Sequence, residues 1–188
     1  ATYKDRLHTL TVENGTGSGN YKNEAVVDIT ANEAPADKKF DHWEIVVGNG
    51  TFEDSTSATT KFITSNEATT LRAVYVDIPY SVTVEGGSIV DPSDEGYVVG
   101  TTITLKADVP EHQQFVRWEI VSGSGTFENE ADANSKFTTA SGDTVIKAIY
   151  ENVKYDLTVE NGTGSGQYEY NAEASISATI PGGYVFTG

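Results

Sequence analysis

"LTVENGTGSG" occupies residues 10–19, and the same ten letters recur at residues 157–166. Glycines this dense after a strand-like run pose a choice between a phosphate cradle and a turn. A phosphate cradle needs a helix after the glycines, because the helix N-terminus supplies the aligned N–H groups. Here "NYKNEAVVDIT" follows at residues 20–30 and reads as another strand. The corresponding stretch in the middle of the chain, "EGGSIVDPSDEGY" at residues 85–97, is longer and lacks the G-x-G spacing. A chemical site does not tolerate such a change, whereas a loop does. The motif therefore reads as a turn, with Asn14-Gly15 and Asn161-Gly162 expected to supply the positive φ of a hairpin.

Its duplication follows from a larger repetition. "FDHWEIVVGNGTFE" at residues 40–53 returns 75 residues later as "FVRWEIVSGSGTFE" at 115–128. "LRAVY" at 71–75 returns at the same spacing as "IKAIY" at 146–150, and "LTVE", "VTVE" and "LTVE" open at residues 10, 82 and 157. The chain is a tandem array. Its reading is a leader at 1–6, a first repeat at 7–78, a second at 79–153 and a partial third at 154–188. Units of about 75 residues are long enough to bury their own cores, unlike solenoid repeats of roughly 20–50 residues. Beads on a string are expected. The joints "VDIPY" (76–80) and "ENVKY" (151–155) are short, and Pro79 stiffens the first, so neighbouring beads should be held semi-rigidly. The third repeat stops at the aromatic that precedes the tryptophan of the other two. With Ala rather than Met at position 1, this suggests a processed chain or a piece of a longer array.

Within a repeat the apolar residues alternate: Leu10 and Val12; Val27, Ile29 and Ala31; Ile103, Leu105 and Ala107. That is strand periodicity, punctuated by Gly, Asn, Asp and Ser clusters every ten or so residues. No window has a helical face, and the nearest exception is a single turn within "EDSTSATTKF" (53–62). The fold class expected is all-β, with about five strands per bead in a small sheet or sandwich. Trp43 and Trp118 should stand at the centres, supported by Phe40, Phe115, Phe62 and Phe137 as structural core.

Composition narrows the function. The 188 residues carry 12 basic and 28 acidic side chains, a net charge of −16, which disfavours nucleic acid and anionic membranes as partners. By repeat, 5 basic and 11 acidic residues leave −6 on the first, and 4 basic and 12 acidic leave −8 on the second. The acidity is thus spread along the chain and reads as solubility and mutual repulsion. Apolar runs such as "VVDI" are too short to span a bilayer. Cysteine and methionine are both absent, so the cores must suffice without disulfides, which suits an exposed extracellular setting.

The opening "LTVENGTGSG", the "ITA" strand at 29–31, the "GYVF" box at 183–186 and the closing "LRAVY" resemble the divergent B-repeats of the internalin B-repeat superfamily. The resemblance spans both full repeats and the partial third. It implies compact, β-grasp-like modules in surface-anchored or secreted proteins of Gram-positive bacteria, with a spacer or adhesive role and no catalytic residues. The usual Gly-Tyr of the family's aromatic box is replaced at residues 36–40 and 111–115 and kept in "GGYVFTG" (182–188).

Candidate sites are few. Tyr21, Tyr97 and Tyr168 recur after the turn and are weighed as ligand contacts against caps over a sheet edge. His8, His42 and His112 share no register, so no catalytic, cofactor or metal residues are assigned. Acidic clusters at 91–95 and 128–132 would admit Ca²⁺, but no twelve-residue ligand loop is present, and no cofactor is expected. Asn14, Asn49 and Asn161 each begin "NGT", a glycosylation string that Asn-Gly turns produce by themselves. Lysine–asparagine isopeptide cross-links would suit a cysteine-free stalk, but the sequence gives no geometry for one.

The function expected is a non-enzymatic stalk of a bacterial surface protein, extracellular or secreted, in contact with its neighbouring repeats. Adhesion to a host-surface, cell-wall or glycan ligand is an added role. Each bead should lengthen the stalk by roughly 25–30 Å. The alternatives are a carbohydrate- or protein-binding module of a secreted enzyme, and a fibre or decoration domain on a phage virion.

Overall fold

The computed structural model describes residue 2 and residues 4–188; Ala1 and Tyr3 of the leader lie outside the described residues. The chain divides into two compact units, Ala1–Ile78 and Pro79–Gly188. Among the described residues there is no helix. The all-β, tandem reading holds, and residues 154–188 fall within the second unit.

The first unit contains β1 (Leu7–Glu13), β2 (Gly15–Thr16), β3 (Gly19–Lys22), β4 (Val26–Ala31), β5 (Lys38–Val47), β6 (Gly50–Phe52), β7 (Thr59–Thr64) and β8 (Thr69–Asp77). They form two four-stranded sheets, ordered β3-β1-β8-β5 and β2-β4-β7-β6. Leu10 and Val12 of the first sheet meet Val27, Ile29 and Phe62 of the second, with Trp43, Leu71 and Ala73 completing the core. The bead is a sandwich in which alternation along each strand sends one side chain inward and the next to water. β1, β4, β5 and β8 are strands read from the sequence, while β7 begins inside the stretch where a single turn was expected. The short β2, β3 and β6 are additional, because two or three residues are too few to show a period.

One pairing runs against the hairpin expectation. β1 and β8, the first and last strands, are parallel neighbours, with Leu10 opposite Thr69 and Val12 opposite Leu71. The second sheet covers the inner face of this pair, the place where the expected β-grasp-like module would carry a helix. The expected single turn in residues 53–62 is an Asx turn. Asp54 Oδ1 accepts from the Thr56 N–H at 2.8 Å and from its hydroxyl at 2.7 Å, satisfying the backbone locally without a helix.

The second repeat reproduces this plan with β9 (Val82–Glu85), β10 (Gly87–Val90), β11 (Thr102–Ala107), β12 (Gln113–Ser122), β13 (Gly125–Phe127), β14 (Lys136–Thr139) and β15 (Thr144–Asn152). β9 and β15 pair in parallel, Val82 opposite Thr144, and Leu105, Trp118, Phe137 and Ile146 are buried between the sheets. Among the described residues its first sheet has three strands, β12-β15-β9, without a counterpart of β3. The partial third repeat supplies β16 (Lys154–Leu157), β17 (Gly162–Thr163), β18 (Gly166–Glu169) and β19 (Ser177–Ala178), paired β16-β18 and β17-β19.

Candidate functional site

Both full repeats share a glycine-rich crossing with a tryptophan beneath it. After β1 the chain leaves the first sheet, pairs Gly15 and Thr16 with Ala31 and Thr30 of the second, and returns as β3 beside β1. "ENGTGSG" is thus a strand that changes sheets, not a simple hairpin turn. The positive φ falls on Asn14 (57°) and Gly17 (118°), whereas Gly15 lies outside the left-handed region. Gly15 is needed for a different reason: a Cβ there would lie 2.6 Å from Trp43 Cη2 and 2.7 Å from the Thr30 carbonyl oxygen. In the second repeat Gly86 takes the positive φ (71°) and Gly87 the close approach, 2.6 Å from Trp118 Cη2. The third repeat repeats the backbone, with Asn161 at φ 53° and Gly164 at 114°.

Trp43 and Trp118 are 2% and 1% exposed. Each is opposite an alanine on the closing strand, Ala73 and Ala148, which leaves room for the indole. Trp43 Nε1–H donates to the Ser57 carbonyl at 3.2 Å and Trp118 Nε1–H to the Asp132 carbonyl at 3.0 Å, so the buried N–H is satisfied. Phe40 and Phe115, expected in the core, sit half-buried at its rim. Residues three apart on a regular strand face opposite sides. A register shift between Phe40 and His42 places one extra residue in β5, bringing Phe40 to Trp43's side at a ring distance of 5.9 Å. The same bulge in β12 sets Phe115 at 5.4 Å from Trp118. Phe62 and Phe137 are fully buried, each 5.0 Å from a second phenylalanine, Phe52 or Phe127.

Two of the three recurring tyrosines hold the crossing closed. Tyr21 Oη–H donates to the Gly17 carbonyl at 3.1 Å, and Tyr168 Oη–H to the Gly164 carbonyl at 2.9 Å. Each is opposite the same strand position: Tyr21 faces His8, Tyr97 faces Tyr80 and Tyr168 faces Tyr155. Tyr97 is only 8% exposed and its hydroxyl accepts from the Ser93 N–H at 3.0 Å. The reading of Tyr97 as a ligand contact is corrected accordingly, since a buried ring offers no face for stacking. Tyr21 and Tyr168 are half-buried.

The histidines do not converge. His42 Nδ1 lies 2.7 Å from Asp41 Oδ2 on the surface. His112 stacks on Tyr170 at 3.6 Å, and its Nδ1 is 3.0 Å from the Tyr155 hydroxyl, tying the second repeat to the third segment. Among the described residues no three His, Cys, Asp or Glu side chains are grouped to hold a metal. In the 128–132 cluster, Asn129 and Asp132 spend their side-chain oxygens on the N–H groups of Ala131 and Asn134. No helix among the described residues is long and apolar enough to cross a membrane. Asn14 Nδ2–H donates to the Ala73 carbonyl at 3.2 Å, so this "NGT" asparagine has a role inside the fold.

These features define a class: tandem two-sheet modules, each closed over a tryptophan by a glycine crossing. The model of the divergent InlB B-repeat domain matches the chain twice, at residues 7–79 and 80–154. The chain belongs to that family, a family of repeat domains associated with bacterial surface proteins rather than an enzyme family. No curated protein and no solved structure matches it.

Proposed function

We propose that this chain is a non-enzymatic, extracellular spacer segment of a bacterial surface protein, with adhesion as an accessory role. The observation that carries this reading is that each full repeat owns a complete core and is followed at once by the next opening strand. Only Val153 separates β15 from β16, and four residues separate β8 from β9. Such joints leave little slack, and in the spacer reading each added repeat adds length. Net negative charge on every repeat favours separation of neighbouring stalks. The test is small-angle scattering on chains carrying one, two and four copies of the 7–154 pair. The maximum dimension should grow linearly, by roughly 25–30 Å per repeat. Growth that follows a compact globule would overturn the spacer reading.

A further inference from the structure

The two full repeats differ at one sheet edge. In the first, β3 lies along β1, with Leu10 opposite Gly19 and His8 opposite Tyr21. In the second, the returning chain pairs with the residues before β9 through the Tyr80–Tyr97 bridge, and among the described residues β9 is the edge of its sheet. The side chains register the loss. Leu10 and Val12 are 2% and 8% exposed, while their counterparts Val82 and Val84 are only half-buried.

The backbone registers it as well. In a parallel pair, alternate residues direct their N–H and C=O groups to opposite neighbours. The Ser81 carbonyl accepts from the Thr144 N–H at 2.9 Å, so Ser81 faces β15 and Val82 and Val84 face outward. In the first repeat the outward N–H of Val12 donates to Ser18 Oγ at 2.8 Å, and in the third Val159 donates to Ser165 Oγ at the same distance. The second repeat has no serine at the matching place after its Gly86-Gly87 crossing. An edge with outward peptide groups beside half-covered valines is a template for another strand.

Charge selects the occupant. Residues 79–105 contain four carboxylates, Glu85, Asp91, Asp94 and Glu95, and no lysine or arginine; the one cation beside them among the described ion pairs is Lys147 on β15, 4.0 Å from Glu85. A second copy of a chain with net charge −16 is repelled from such an edge. We propose that the β9 edge is a strand-acceptor site for an extended basic segment of a partner protein. The segment pairs antiparallel to β9, as β3 does to β1. β-Branched residues lie opposite Val82 and Val84, and lysine or arginine lies opposite Thr83 and Glu85 on the outer face. This inference is independent of the spacer reading.

The test uses the full chain labelled with ¹⁵N and the peptide KVKVKVK as probe. Leu10 and Val12, whose edge is already filled, serve as controls within the same molecule. In the free chain the amides of Val82 and Val84 should exchange faster than those of Leu10 and Val12. With free peptide at about ten times its Kd, their exchange should slow about tenfold, with chemical-shift changes confined to β9 and its surroundings. The effect should vanish with a backbone N-methylated peptide and with EVEVEVE. Equal protection of Val82, Val84, Leu10 and Val12 in the free chain would overturn the proposal. So would equal binding of EVEVEVE, or concentration-dependent protection of the β9 amides without peptide, which would make the occupant a second copy.

Discussion

Replacing Gly15 with alanine tests the packing beneath the crossing. Gly15 has an ordinary φ, so the backbone accepts alanine and the penalty is purely steric. The added methyl lies 2.6 Å from Trp43 Cη2 and 2.7 Å from the Thr30 carbonyl oxygen. Ordinary carbon contacts stand at about 3.5–4.0 Å, so something must retreat by about 1 Å. The Thr30 carbonyl belongs to the backbone of β4, where β2 pairs, and the indole is closed in on all sides. Overpacking of this kind costs about 1–3 kcal/mol. For a bead of this size each kcal/mol lowers Tm by about 4–8 °C. Hydrogen exchange followed by mass spectrometry separates the two units in one experiment. In Gly15→Ala, globally protected amides of β1, β4 and β8 should exchange roughly 5- to 150-fold faster, with those of β11, β12 and β15 unchanged. Gly87→Ala should reverse the pattern. Gly182→Ala, where no atom lies within 4 Å of the new methyl, is the neutral control. A Gly15→Ala bead within about 0.5 kcal/mol of the parent would refute the claim that tryptophan leans on this glycine.

Asn14→Gly keeps the positive φ that Gly86 takes in the second repeat and should lose only the bond to the Ala73 carbonyl, about 0.5–1.5 kcal/mol. Asn14→Ala loses that bond and should cost about 1–2 kcal/mol more for the left-handed backbone, and urea midpoints compare them. Trp118→Ala should destabilise the second repeat by about 3–5 kcal/mol and leave the first folded, seen as loss of one set of amide resonances. Asp143 accepts from the Ser81 N–H at 2.8 Å, which holds its carboxyl below the ordinary 3.8. A depressed folded-state value contributes stability that is present above the unfolded value and lost as pH falls through the folded one. Urea midpoints at about pH 7 and pH 3 should therefore fall further for the second unit of the parent than for that of Asp143→Asn.

The repeat, the longer strands and the tryptophan centres were legible because each is written twice, in residues whose burial follows a period of two. The parallel β1–β8 pair was not, since nothing local distinguishes a strand that pairs with its neighbour in sequence from one that pairs 59 residues away, as Leu10 does with Thr69. The bulge at Asp41 was hidden for a similar reason. It shows only as an aromatic pair spaced by three inside a strand, Phe40 and Trp43, which reads as broken alternation. Asn14 has the positive φ that an Asn-Gly string signals, but Gly15 does not; its cause, the closeness of an indole ring, is tertiary. The missing fourth strand of the second repeat was visible as the changed loop at 85–97, but its consequence for β9 depends on which edge that loop leaves.

The central claim is that each repeat is a self-sufficient bead, and separate expression of residues 7–78 and 79–153 tests it most directly. The account predicts two cooperatively folded proteins whose ¹⁵N spectra superpose on that of the intact chain away from the cut ends. An unfolded or molten first repeat, recovered only when the second is joined to it, would contradict it.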